Sequence, residues 1–260
     1  MKITKICCVI LGISAAVSTW GQSTRFINGD DLYFVVNGAR FNMKYVEGGT
    51  FRMGDSMENA SGDNSDPPRN VTLSDYWIGE AEVTQELWQA VMGYNPSNFT
   101  GNNQLPVETV SYDDCLTFIS KLNTLTGETF RLPTEAEWEF AARGGNKSRG
   151  YMYSGGNEVG IVAWTGYNSG GTTCPVKTKR ANELGIYDMS GNVSEWCYDW
   201  YGNYGTASVS NPKGPANGTY RVTRGGYWGA TQLVIVCAVY LRSRTQPAAT
   251  SENIGFRLAL

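Results

Sequence analysis

Residues 184–201, LGIYDMSGNVSEWCYDWY, set three large aromatic side chains, Trp196, Trp200 and Tyr201, beside a short polar run. Within that run Asp188 and Glu195 flank Gly191, a residue that lets the backbone turn sharply without a steric cost. Two carboxylates around a tight turn are oxygen ligands of the kind calcium prefers, together with peptide carbonyls. The same residues suit a purely structural turn, in which Asp188 caps local N–H groups and Glu195 pairs with an arginine. Taken alone, the stretch leaves both readings open.

Within this stretch, GIYDMSGNVSEW resembles the GLYDMxGNVWEW signature of the formylglycine-generating enzyme (sulfatase-modifying factor) family. Six further stretches agree with that family in order: GGTFRMGD (48–55), EVTQELWQAVMG (82–93), LPVETVSYDD (105–114), RLPTEAEWEFAARGG (131–145), RVTRGGYW (221–228) and IGFRLAL (254–260). The resemblance runs from about Phe41 to Leu260. It implies an α+β fold of the irregular, loop-rich C-type-lectin-like kind, with two or three helices and short strands. It also implies a structural calcium held by Asp188, Met189, Gly191, Val193 and Glu195, with Ser194 departing from the family's Trp at a non-ligand position.

The chain has 260 residues, 31 of them Gly and 8 Trp, with 17% charged residues, as suits a loop-rich globule with a sizeable core. Net charge is −3 and no basic stripe is present, which argues against nucleic acid as a partner. Histidine is absent, so Ser-His-Asp and Cys-His catalysis, His-ligated zinc and an imidazole base are all excluded. Residues 1–21 read as a secretory signal peptide, with basic Lys2 and Lys5 before an apolar run from Ile6 to Val17. That leaves 22–260 as a single domain expected outside the cytoplasm, with no later stretch apolar enough to span a membrane. Cys115, Cys174, Cys197 and Cys237 show no C-x-x-C spacing, which disfavours zinc. An oxidising compartment permits disulfides, and the family fold implies Cys197–Cys237 by bringing their segments together. Cys115, inside an amphipathic segment, reads as a buried thiol.

Periodicity places a hairpin over 32–41 with Asn37-Gly38 at its turn, and a further strand from Tyr45 to Met53 broken at Gly48-Gly49. Residues 55–70 read as a polar surface loop. Helices are expected over 83–92 with Thr84 as cap, over 111–125 with Ser111 as cap, and after a Thr134/Glu137 capping box. Leu116, Ile119 and Leu122 recur on the second helix. Glu135, Glu137 and Glu139 read as capping and surface charge. Beyond Gly144 long loops dominate, with 220–223 and 255–260 expected as paired core strands.

In the family's enzymes a cysteine pair five residues apart, after the RGGS-like motif, binds copper(I) and activates oxygen. Here those positions fall on Ala230 and Ile235 in one register or Gly229 and Val234 in the other, and neither carries sulfur. Soft thiolates suit cuprous ion, so no copper site is expected. Cys237 is the single thiol nearby, and an oxidase would need it exposed with a second thiol within copper-bridging distance, Cys197 being the leading candidate. The reading is therefore an exported, non-catalytic member that binds an unknown protein or glycan. Its recognition surface would be 227–246, with Tyr227, Trp228, Thr231, Gln232, Leu233, Tyr240, Ser243, Arg244 and Gln246. These residues mix aromatic and small polar types without a helix or strand period, as binding loops do. The segment also resembles the region that diversity-generating retroelements vary in lectin-like proteins. The alternatives are a sulfatase-maturing oxidase, or another enzyme, on the same scaffold, and a buried strand over 233–239.

Overall fold

The computed structural model describes residues 19–20, 23–54, 67–231 and 234–260. All of the leader except residues 19–20, and most of the 55–70 loop, fall outside them. The architecture is mixed α and β: three sheets with helices packed between them. The first sheet is β1 (Thr19–Trp20), β2 (Ser23–Asn28), β3 (Asp31–Val36), β4 (Ala39–Val46) and β7 (Tyr76–Gly79), side by side in that order. A smaller sheet holds β5 (Gly49–Met53), β6 (Arg69–Leu73) and β9 (Val209–Ser210). The third runs β11 (Arg242–Thr245), β10 (Arg221–Arg224), β8 (Ser194–Trp200), β12 (Ile254–Gly255).

The local rules act where the sequence places them. Asn37 and Gly38 sit at φ 49° and 90°, the two positive values that a tight hairpin turn between β3 and β4 needs. Helix α1 (Gln85–Met92) starts at Thr84, whose hydroxyl accepts from the Leu87 N–H. Helices α2 (Tyr112–Thr126) and α3 (Glu135–Ala142) each open with a full capping box, Ser111/Asp114 and Thr134/Glu137. A single helical turn, α4 (Val159–Val162), is added in the loop-rich half. On α2 the buried side is Cys115, Phe118, Ile119 and Leu122, while Leu116 is exposed.

Two expectations are corrected. Residues 220–223 and 255–260 do not pair with each other: β10 and β12 lie on either side of β8, antiparallel and parallel to it. Within the expected 233–239 strand, residues 234–239 are not a strand, since Val234–Cys237 forms a 3-10 turn.

Strand β8 is the partition of the molecule. Successive side chains on a strand face opposite ways, so Trp196 enters one core and Cys197 the other. The Trp196 core holds the hairpin face, α1 and α2, with Trp88 stacked on Phe118 at 5.2 Å and Phe256 edge-on to Phe118 at 5.4 Å. The Cys197 core gathers β5, β6, α3 and Cys237. The run before β8 and the segment after β10 are both anchored to this wall.

Candidate functional site

The run ahead of β8 coils tightly. Asp188 and Asn192 adopt φ of 56° and 60°, and Gly191 sits at 80° with a Cβ there only 2.2 Å from the Trp164 carbonyl oxygen. A side chain at 191 would clash with backbone, so glycine is required. Asn192 is held on every polar atom: its amide donates to Glu82 Oε2 (2.7 Å) and the Cys174 carbonyl (3.1 Å) and accepts from the Cys174 N–H (2.9 Å). The other Glu82 oxygen accepts from the Val193 N–H at 3.1 Å.

Glu195 is the second residue of β8, fully buried, and Arg257 grips it at both oxygens, with Nε to Oε2 at 2.6 Å and Nη2 to Oε1 at 2.7 Å. Trp138 Nε1 donates to the same Oε2 at 2.7 Å. The structural alternative for Glu195, pairing with an arginine, is thus what the fold adopts. Asp188 behaves otherwise. One of its oxygens accepts from the Lys177 N–H at 2.7 Å, and the other, Oδ1, is buried with no partner. Burial pushes the Asp188 carboxyl up to about 6, against the pull of the Lys177 N–H and Arg257. Burial also drives Glu82 well above the usual carboxylate range, with Asp188 and Glu195 adding to the effect. Three buried carboxylates thus face one buried guanidinium. The residues fit a hard cation on the Asp188 side, where an oxygen lacks a donor; on the Glu195 side both oxygens are occupied. Among the described residues no three His, Cys, Asp or Glu side chains converge to hold a metal. A cation here would draw on peptide oxygens of Met189, Gly191 and Val193. Glu82 was not legible as a partner of this run, because nothing local in EVTQ marks a carboxylate destined for burial.

The α3 glutamates are corrected. Glu137 does cap, taking Arg131 at 2.6 and 2.8 Å and the Thr134 N–H at 2.8 Å. Glu135 and Glu139 are 2% and 0% exposed rather than surface charge. Glu135 receives Arg242 at 2.8 and 2.7 Å, and Glu139 receives Arg224, Arg143 and the Gly54 N–H. This network ties α3 to β10 and β11.

The residues of the expected recognition surface divide in two. Tyr227, Trp228 and Thr231 sit at one end: Trp228 packs edge-on against Phe99 at 5.2 Å and donates Nε1 to the Glu252 carbonyl at 3.1 Å. Thr231, exposed, lies over Gly166, whose N–H donates to the Ala230 carbonyl at 2.9 Å. Ser243, Arg244 and Gln246 lie exposed on or just beyond the outer strand β11, with Arg244 over the rings of Tyr201 and Tyr220. Tyr240 is corrected: it is 7% exposed and belongs to the core. Gln232 and Leu233 fall outside the described residues.

The implied disulfide is corrected as well. Cys197 and Cys237 are both free, as are Cys115 and Cys174, and all four are buried. Cys197 points from β8 into the core, while Cys237 is packed under Gly226, whose added Cβ would meet its sulfur at 2.5 Å. Burial pushes the Cys237 thiol up to about 12 and the Cys197 thiol well above its usual value. Neither is poised as a thiolate. At the positions corresponding to the family's copper-binding cysteines, Ala230 is buried and Ile235 half-buried.

Residues 39–260 match the model of the sulfatase-modifying factor enzyme 1-like domain. The chain is 36% identical to the chaperone protein LppX of Paenibacillus barcinonensis over 84% of each. It is 36% identical to the formylglycine-generating enzyme of Streptomyces coelicolor over 71% of this chain and 60% of that enzyme. Among solved structures, Treponema denticola variable protein 1 superposes with a TM-score of 0.80 at 35% identity, covering 89% of this chain and 99% of that one.

Proposed function

The chain belongs to the sulfatase-modifying factor family, and from that premise we propose that it is a non-catalytic, exported ligand-binding member of it. The observation that carries this reading is the chemistry at the oxidase position. No sulfur occupies either register of the cysteine pair, and the one nearby thiol, Cys237, is buried with its pKa pushed up to about 12. Copper(I) chemistry needs accessible soft thiolates. The same segment supports a binding role: Thr231 is exposed beside Gly166, and Ser243, Arg244 and Gln246 are exposed on or beside β11, which Arg242 fixes to α3 through Glu135. The likeness to a variable protein of Treponema denticola supports the same assignment. A relative named a chaperone favours a protein ligand over a glycan. The basic-then-apolar leader supports export, and no helix among the described residues is long and apolar enough to cross a membrane.

Structural calcium at Asp188, with the peptide oxygens of Met189, Gly191 and Val193, belongs to this proposal. Glu195 then serves as counter-ion to Arg257. The functional reading is tested by incubating the purified chain with copper(I), oxygen and a cysteine-bearing sulfatase peptide. No peptide oxidation and no stoichiometric copper uptake are expected. Turnover to the aldehyde would overturn it.

A further inference from the structure

A cavity of about 360 Å³ opens between β6, the end of β8, residues 202–204 and the 209–215 segment. Arg69, Glu135, Asp199, Tyr204, Lys213 and Arg242 stand in its wall. Its cations are unequal. Arg242 is taken by Glu135 and by the Gly202 carbonyl at 2.8 Å. The Arg69 side chain has neither an ion pair nor a hydrogen bond among the described residues: its guanidinium lies over the Tyr204 ring at 4.6 Å, and its Nε is buried with no acceptor. Lys213, exposed at the rim, has no ion-pair partner among the described residues either. The Tyr204 hydroxyl is also buried and unpartnered. Buried donors without acceptors are rare, and each such group calls for an explanation. A guanidinium stacked on an aromatic ring keeps its N–H edge available for a planar oxyanion.

We propose that this cavity binds a small acidic ligand through an oxyanion, a carboxylate or sulfate, clasped between Arg69 and Lys213. Pockets that bind small molecules begin at about 300 Å³, so a group the size of a single acidic sugar is accommodated. An oxyanion in the cavity gives the outer edge of the Arg69 guanidinium a charged acceptor, and charge-assisted bonds of this kind are the strong ones. Arg242, already neutralised by Glu135, forms the wall rather than the clasp. The inference goes beyond the proposed function and does not rest on it: the pocket is formed largely by residues outside 227–246, and copper chemistry neither requires nor excludes it.

The test is titration calorimetry of the full mature chain with sodium glucuronate, sodium sulfate and, as the uncharged control, glucose, at ionic strength matched with sodium chloride. Binding is expected for at least one anion and not for glucose. Arg69→Gln and Lys213→Gln are each expected to weaken it, by about tenfold for Arg69, the loss of one charged hydrogen bond. Binding by glucuronate and sulfate alike points to the oxyanion alone; binding by glucuronate only points to an acidic sugar. Absence of binding by both anions, equal binding of glucose, or unchanged affinity in the variants overturns the proposal. Should Arg69→Gln fail to fold, the exposed Lys213→Gln decides the matter.

Discussion

Asp199 shows how much a single burial can set. It is 4% exposed, accepts from the Glu135 N–H at 2.8 Å, and is pushed up to about 7 by burial first and by Glu135 next, with Glu137 adding and Arg242 opposing. A carboxyl whose folded pKa is raised binds its proton more tightly in the folded chain than in the unfolded one. Stability therefore falls as pH rises from the unfolded value, about 4, towards 7, and levels off above that. Asp199→Asn keeps an acceptor for the Glu135 N–H and removes this slope. Melting temperatures of the two proteins are expected to converge near pH 4 and to favour the variant above pH 7; a variant less stable at pH 8 would contradict the assignment. A second residue-scale expectation concerns Asp188. If its unpartnered Oδ1 takes calcium, added calcium raises the melting temperature of the parent chain over chelator, and Asp188→Asn loses most of that shift. An equal shift in both proteins would place the cation elsewhere. The run around Asp188 and Glu195 was legible in the sequence as a tight polar turn. Which of its two carboxylates was tied up was not, because Arg257 lies 62 residues beyond Glu195.

At the scale of elements, the three longer helices were readable from their first turns. Ser111 and Thr134 each face an acidic residue three positions on, and both boxes form. What the first turn of α3 could not disclose is the fate of its other glutamates. EAEWEF places Glu135 and Glu139 four apart, and the same spacing describes a solvated face or a buried one. The arginines that decide between them, Arg224 and Arg242, come from the third sheet. The consequence is measurable. Glu139→Gln leaves Arg224 and Arg143 short of charge in the core, and removing one partner of a buried pair costs about 3–5 kcal/mol. Urea unfolding is expected to register a loss of that order. A surface glutamate on a helix would change stability by no more than about 0.5 kcal/mol, so a near-silent variant would return α3 to the surface. The outer strand β11 likewise divides a segment that reads as one from sequence: Arg242 turns in to Glu135 while Ser243 and Arg244 face solvent.

Across the whole molecule, β8 separates two cores that are each rich in aromatic and sulfur-bearing side chains, and packing does the work that a cross-link would otherwise do. Trp196 and Cys197 are neighbours in sequence and belong to different cores, so the partition follows from strand alternation alone. Cys197 and Cys237 share one of those cores as separate thiols. A disulfide closing the loop between them would contribute roughly 4 kcal/mol by chain entropy. The fold supplies its own closure instead: Ser190 donates to the Cys237 carbonyl at 2.7 Å, and Arg224 donates to the Leu241 carbonyl at 2.6 Å. Reductant is therefore expected to leave the melting temperature of the mature chain unchanged. An aromatic disulfide reagent is expected to find four thiols after denaturation and almost none before it, because burial keeps all four protonated and out of reach. A count of two in the denatured chain without reductant, or a fall of several degrees on reduction, would mean that the two cores are stapled through Cys197 and Cys237 after all.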